Sequence, residues 1–163
     1  MNFKRRITGI MMILFSMLFL VPLSGYTVTQ SPDITVTAAE KEPYSGTVTE
    51  DGVYSSRDEV ALYIHTYGHL PSNFITKREA RKLGWQGGGL DDVAYGKCIG
   101  GDGFSNREGL LPSKRKRKYY ECDIDTLHEN ERGEKRIIYS NDGLIYYTED
   151  HYASYELLYG NSS

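Results

Sequence analysis

Apolar positions change their spacing midway along this 163-residue chain. Beyond Gly52, Val60, Ile64 and Tyr67 recur at three- and four-residue intervals, the period of one helix face. Ser56-Arg57-Asp58-Glu59 precedes them as a capping box, with Ser56 as N-cap and Glu59 at the third helical position. Gly68 is placed to end this helix in a left-handed conformation, and Pro71 blocks its continuation. Thr76-Lys77-Arg78-Glu79 repeats the device for a shorter helix closed by Gly84. Lys77 thus falls in a first helical turn, where amide donors also point; that is a poor position for a cation's stability and a useful one for an anion site. After the Gly87–Gly89 loop the period becomes two. Tyr119 to Ile124 alternates, which predicts Cys122 and Ile124 inward and Tyr119, Glu121 and Asp123 outward. Arg136–Tyr139 and Leu144–Tyr147 flank Asn141-Asp142-Gly143, a hairpin signal, and a last strand is predicted from about Tyr152 to Leu158. Helices first and antiparallel strands afterwards describe an α+β domain.

The segment ahead of this domain has another character. Lys4-Arg5-Arg6 is followed by an almost wholly apolar run from Ile7 to Val21, then by Pro22, Ser24 and Gly25. This is the pattern of a signal peptide over residues 1–25, and it predicts a secreted, extracellular protein. Residues 26–50 are rich in Thr, Val, Ser and Glu without helical periodicity, and read as a propeptide or mobile arm. Residues 51–163 remain as one domain with one main core. No second apolar span follows, so no membrane association is expected after signal cleavage.

Charge changes this picture only locally. The formal net charge is −3, which does not mark the chain as a binder of polyanions. Lys114-Arg115-Lys116-Arg117-Lys118 is nevertheless an unbroken basic run, either a solvated loop or a guide for a phosphate backbone. The two cysteines, Cys98 and Cys122, favour a disulfide in an exported chain over two free thiols, with a contribution of about 3 kcal/mol from closing the loop. No metal-ligand cluster is evident in the sequence, and no cofactor is expected.

The stretch from Gly100 to Gly109 concentrates the candidate chemistry. Its glycines allow sharp turns and close approach to a ligand. Phe104 offers a stacking face, and the Glu108 carboxylate accepts two parallel hydrogen bonds from a planar donor edge such as that of guanine. Elsewhere Glu121 lies on a strand, His151 stands at the mouth of the last strand, and Lys77, Arg107, Arg132 and Arg136 supply cations. A carboxylate base, a histidine acid and several cations suit cleavage of RNA through its own 2′-hydroxyl, with no metal required.

Three segments then carry a family resemblance: Tyr63 through Trp85, with LPSNFITKREARKLGW; Leu90 through Pro112, with DVAYGKCIGGDGFSNREG; and Arg136 through Tyr152, with RIIYSNDGLIYYTEDHY. With the Glu121 strand they cover nearly all of residues 52–158. In these the chain resembles the barnase-type family of small, secreted, guanyl-specific bacterial ribonucleases. The resemblance implies N-terminal helices packed on a five-stranded antiparallel sheet, with the site on the sheet's exposed face. It implies Glu121 as general base, His151 as general acid, and Lys77, Arg107, Arg132 and Arg136 around the scissile phosphate. Ser105, Asn106 and Arg107 backbone groups with the Glu108 carboxylate would recognise guanine, and Phe104 and Tyr152 would contact the base. Asp123 would pair with Arg132 and Arg136 as a structural carboxylate, and Asp102 would lie near Lys77 and Glu121. Single-stranded RNA is the implied substrate, the protein is expected to be a monomer, and a barstar-like acidic inhibitor is an implied partner. The chain departs from the family pattern in a shorter glycine loop before Leu90, a longer and more acidic stretch between Asp123 and Arg136, Gly143 in place of an aromatic, and the two cysteines. A non-catalytic RNA-binding module acting through residues 114–118 is the alternative reading.

Overall fold

The computed structural model describes residues 44–161; the predicted signal peptide and most of the predicted arm lie outside them. Two helices, α1 (Arg57–Tyr67) and α2 (Lys77–Lys82), accompany six strands: β1 (Phe74–Ile75), β2 (Cys98–Phe104), β3 (Tyr119–Asp123), β4 (Arg136–Ser140), β5 (Ile145–Thr148) and β6 (Glu156–Tyr159). The strands form one sheet in chain order. All neighbouring pairs are antiparallel except β1 and β2. The fold is therefore α+β, with six strands rather than five. The additional strand is the two-residue Phe74–Ile75, too short to leave a periodic trace in the sequence. Among the described residues no helix is long and apolar enough to cross a membrane.

Local chemistry explains the helix ends. Thr76 accepts from the Glu79 amide while Glu79 accepts from the Thr76 amide, so the predicted box at α2 is complete. At α1 it is not: the Ser56 hydroxyl donates to the Glu59 carboxylate, at 2.5 Å, and no side-chain bond caps a backbone amide of this helix. Gly68 closes α1 in the left-handed region (φ 76°), its amide donating to the Ile64 carbonyl. Residues 48–50, expected to belong with the arm, are bound to α1, since Tyr67 and Tyr63 donate to the Val48 and Glu50 carbonyls.

Apolar residues bury both faces of the sheet. Val60, Ala61 and Ile64 of α1 pack on Cys98, Cys122, Ile137 and Ile145. On the opposite face Leu111, Tyr119, Ile138, Leu144 and Tyr146 form a second cluster, with Phe104, Tyr152 and Tyr155 against it. A third lies at α2, where Ala80 meets Trp85, Leu90 and Ile99. The predicted alternation along β3 gave the correct faces and the wrong exposure. Tyr119, Glu121 and Asp123 share a face but are only 6%, 9% and 1% exposed: Tyr119 lies in the cluster around Leu111, Lys77 and Tyr152 reach over Glu121, and Arg132 and Arg136 close on Asp123.

Two further expectations are corrected. The last strand begins at Glu156, not Tyr152, because the Asp150 carboxylate accepts from the Thr148 hydroxyl and from the Ser154 amide and hydroxyl and holds the intervening residues in a turn. Cys98 and Cys122 are buried free thiols, not a disulfide. Cys122 lies opposite Gly100, while Cys98 lies opposite Phe74 of β1, so the two cysteines are not a directly facing pair.

Candidate active site

A β-bulge sets the geometry of the site. Between β2 and β3 the register passes from Gly100 opposite Cys122 to Asp102 opposite Glu121, leaving Gly101 as the extra residue. Gly101 takes φ 91°, a conformation glycine adopts without steric cost. Gly100 beside it allows a close approach, since a Cβ there would stand 2.6 Å from the Cys122 Cβ. The bulge brings Asp102 alongside Glu121, where its Oδ2 accepts from the Lys77 amide at 2.8 Å. The first residue of α2 is thereby anchored to the sheet, and its side chain reaches across to Glu121.

Glu121 is gripped on both oxygens. Lys77 Nζ lies 2.6 Å from Oε1, and the Tyr152 hydroxyl donates to Oε2 at 2.7 Å. Burial is the largest influence on this carboxyl and raises its pKa. The hydrogen bonds from Lys77 and Tyr152, with the charges of Lys77 and Arg136, together outweigh it and leave the pKa below its ordinary value. Burial, followed by the bond to Glu121, pushes the Tyr152 phenol strongly upward, so it remains a donor.

Asp123 organises the cations on the same face. Arg132 holds it through two parallel bonds, Nε to Oδ2 at 2.6 Å and a terminal nitrogen to Oδ1 at 2.8 Å. Arg136 Nε stands 2.9 Å from Oδ1, an ion pair by distance that is not aligned as a hydrogen bond. The remaining Arg136 nitrogens donate to the carbonyls of Arg132, Gly133 and Lys135, and the residue is 2% exposed. Arg136 is thus buried among protein groups, whereas the Arg132 side chain keeps a quarter of its surface open. The Arg132 guanidinium also lies 5.8 Å from the centre of the Trp85 ring.

The loop after β2 and the turn before β6 meet in a second part of the site. Phe104, Ser105, Arg107, Glu108, His151, Tyr152 and Ala153 line a cleft of about 430 Å³. Phe104 stacks on Tyr152 with centroids 5.6 Å apart, and the His151 ring is 4.8 Å from that of Tyr152. His151 and Tyr152 both have positive φ, 53° and 75°, an uncommon backbone state maintained by the Asp150 turn. Asn106, also at positive φ, turns its amide inward: it donates to the Leu111 carbonyl and accepts from the Leu111 amide. It braces the loop and leaves Arg107 and Glu108 exposed at the rim.

The structure therefore brings Lys77, Glu121, Arg132, Arg136 and Tyr152 together on one face, and Phe104, Ser105, Arg107, Glu108 and His151 around the adjoining cleft. The sequence reading missed the Tyr152 hydroxyl on Glu121, the Asp150 turn that presents His151, and Trp85 beneath Arg132. Only the Asp150 turn had a local signal, an Asp followed four residues later by Ser.

A family model described as ribonuclease matches residues 57–159. A ribonuclease of Bacillus pumilus is 42% identical over 151 residues, covering 87% of this chain and 92% of the relative. One from Heyndrickxia coagulans is 50% identical over 105 residues, 63% of this chain and 95% of the relative. The guanyl-specific ribonuclease St of Saccharopolyspora erythraea is 41% identical over a shorter stretch of 54 residues, 33% of this chain and 54% of its own. With its matched family model and a relative similar over nearly the whole length, the chain belongs to the ribonuclease family.

Proposed function

We propose that this ribonuclease is a secreted endonuclease that cleaves single-stranded RNA 3′ to guanosine, through a 2′,3′-cyclic phosphate that is then hydrolysed. The observation that carries the proposal is Glu121, a buried carboxylate kept ionised by Lys77 and Tyr152, beside the cleft that His151 and Glu108 share. Glu121 takes the proton of the 2′-hydroxyl as that oxygen attacks phosphorus, and His151 protonates the departing 5′-oxygen. Charge on the phosphoryl oxygens is balanced by Lys77, Arg107 and Arg132, with Arg136 holding Asp123 and hence Arg132 in position. In hydrolysis the two roles reverse: His151 activates water and Glu121 returns the proton. Guanine lies in the cleft against Phe104 and Tyr152, its N–H edge on Glu108 and its other polar atoms on amides of residues 105–107. The distant likeness to a guanyl-specific relative supports this base preference. Residues 1–25 act as the export signal.

Mapping products on a defined RNA tests activity, base preference and cyclic-phosphate chemistry together. Cuts 3′ to guanosine ending in cyclic phosphate are expected. Glu121→Ala and His151→Ala should each lose about 10²–10⁴-fold in kcat. Near-normal turnover in either variant would falsify the assigned acid and base.

A further inference from the structure

Arg132 lies in the loop between β3 and β4, and the two limbs of that loop are held by different partners. After Arg132, the Arg136 guanidinium donates to the carbonyls of Arg132, Gly133 and Lys135. Before it, residues 128–130 dock on the segment that follows α2. The Gly89 amide donates to the Asn130 carbonyl at 2.6 Å. The backbones touch there, since a Cβ on Gly89 would collide with the Glu129 carbonyl. Beside this contact His128 Nδ1 lies 2.8 Å from Asp91 Oδ2, and the His128 ring is 4.9 Å from that of Tyr95. The other Asp91 oxygen accepts from the Gly96 amide at 3.1 Å, so the carboxylate is itself fixed.

His128 takes φ 62°, and its side chain is about half exposed. Core burial therefore does not hold this residue; the pair with Asp91 does. The docked segment also reaches Arg132 directly. Trp85 donates from its ring N–H to the Gly88 carbonyl at 3.0 Å, and its ring centre lies 5.8 Å from the Arg132 guanidinium. Glu129, Glu131 and Glu134 around the arginine are exposed. A loop free to shift would exchange positive charge for negative at that place.

We propose that Asp91 and His128 form a clamp that positions Arg132 at the scissile phosphate. The inference rests on the ribonuclease reading above, in which Arg132 balances charge on the phosphoryl oxygens. Asp123 fixes the direction of the guanidinium through two bonds. The clamp fixes where the backbone carrying it lies, so Asp91 and His128 are positioning residues that act through Arg132.

The test is a double-mutant cycle on GpU cleavage. Asp91→Ala and His128→Ala should each lower kcat about fivefold, the upper range for an exposed ion pair, with KM within about twofold of wild type. His128→Asn, which keeps a donor and suits a positive φ, should restore kcat to within about twofold. In Arg132→Ala, adding Asp91→Ala should change kcat by less than about 1.5-fold. An unchanged kcat in Asp91→Ala, or the full loss repeated in the Arg132→Ala background, overturns the clamp. If wild type leaves GpU intact, or Arg132→Ala cleaves it normally, the catalytic reading of Arg132 fails separately. Emission of Trp85, the chain's single tryptophan, then decides the clamp. Asp91→Ala should reproduce at least about half of the change caused by Arg132→Ala and add nothing in that background. A wild-type spectrum in Asp91→Ala overturns it.

Discussion

As the proposed general base, Glu121 faces two opposing requirements: burial near the reacting atoms and ionisation at working pH. Burial alone would raise its pKa, and Lys77 and Tyr152 reverse the sign by binding the charged form. The acid limb of kcat/KM should therefore lie below the ordinary glutamate range, with activity falling as pH drops through that lowered value. The same depressed value makes Glu121 ionisation favour folding above the ordinary range, a contribution lost as pH falls through the folded pKa. In Lys77→Ala the desolvation remains and two lowering influences vanish, so the acid limb should move upward. Tyr152→Phe should move it in the same direction while keeping the ring against Phe104. A pH–rate profile on GpU checks both, and an unmoved acid limb in Lys77→Ala would mean that a group other than Glu121 is titrating. Glu108, exposed at the rim, belongs to a different step. Glu108→Ala should chiefly lose guanine preference among GpU, ApU and UpU, with a smaller effect on kcat.

Elements turn these contacts into fixed geometry. Thr76 caps α2, Lys77 follows directly, and Asp102 at the bulge binds the Lys77 amide, so one helix end and one bulge position the lysine proposed to act at the phosphate. Thr76→Ala should cost about 1 kcal/mol in urea unfolding and lower kcat as well, since the helix start would loosen. Asp123, at 1% exposure, carries more. Asp123→Ala leaves the buried Arg136 guanidinium without its carboxylate and should cost about 3–5 kcal/mol, measured the same way. The capping box at Thr76, the hairpin at Asn141–Gly143 and the period along β3 were legible in the sequence because each is a local rule with the residues side by side. Ser56 shows the limit of such a rule: the right residue types were present, but the Ser56 oxygen accepts from no backbone amide of the helix. The covering of Glu121 was not legible, because it comes from Lys77 and Tyr152, which are remote in sequence and whose own pattern says nothing about where their side chains meet. Phe74–Ile75 gave no signal because a two-residue strand is defined only by its partner, β2. The candidate site residues were named through the resemblance, whereas their hydrogen bonds are products of tertiary packing.

At the scale of the whole molecule, the cysteines tie chemistry to global stability. Export predicted a disulfide, yet Cys98 and Cys122 are 1% and 0% exposed and unbonded, within the core that α1 makes with the sheet. Burial is the main cause of the rise in both thiol pKa values, with a larger rise at Cys122, so the reactive thiolate is disfavoured at each. Core packing thus protects the thiols even in an oxidising medium, provided that folding precedes oxidation. Native protein should show no thiol reacting with Ellman's reagent at short times, and protein unfolded in urea without reductant should show two. Zero thiols in urea would mean that the cysteines had bonded and that the β1–β2–β3 register differs from that described. The reaction in native protein should be slow and should accelerate steeply with added denaturant, because exposing Cys122 requires α1 to leave the sheet. A fast reaction with a shallow denaturant dependence would instead locate the opening at β1 and β2. Cys98 would then react ahead of Cys122, and the Gly100–Asp102 bulge that anchors Lys77 would share in that motion.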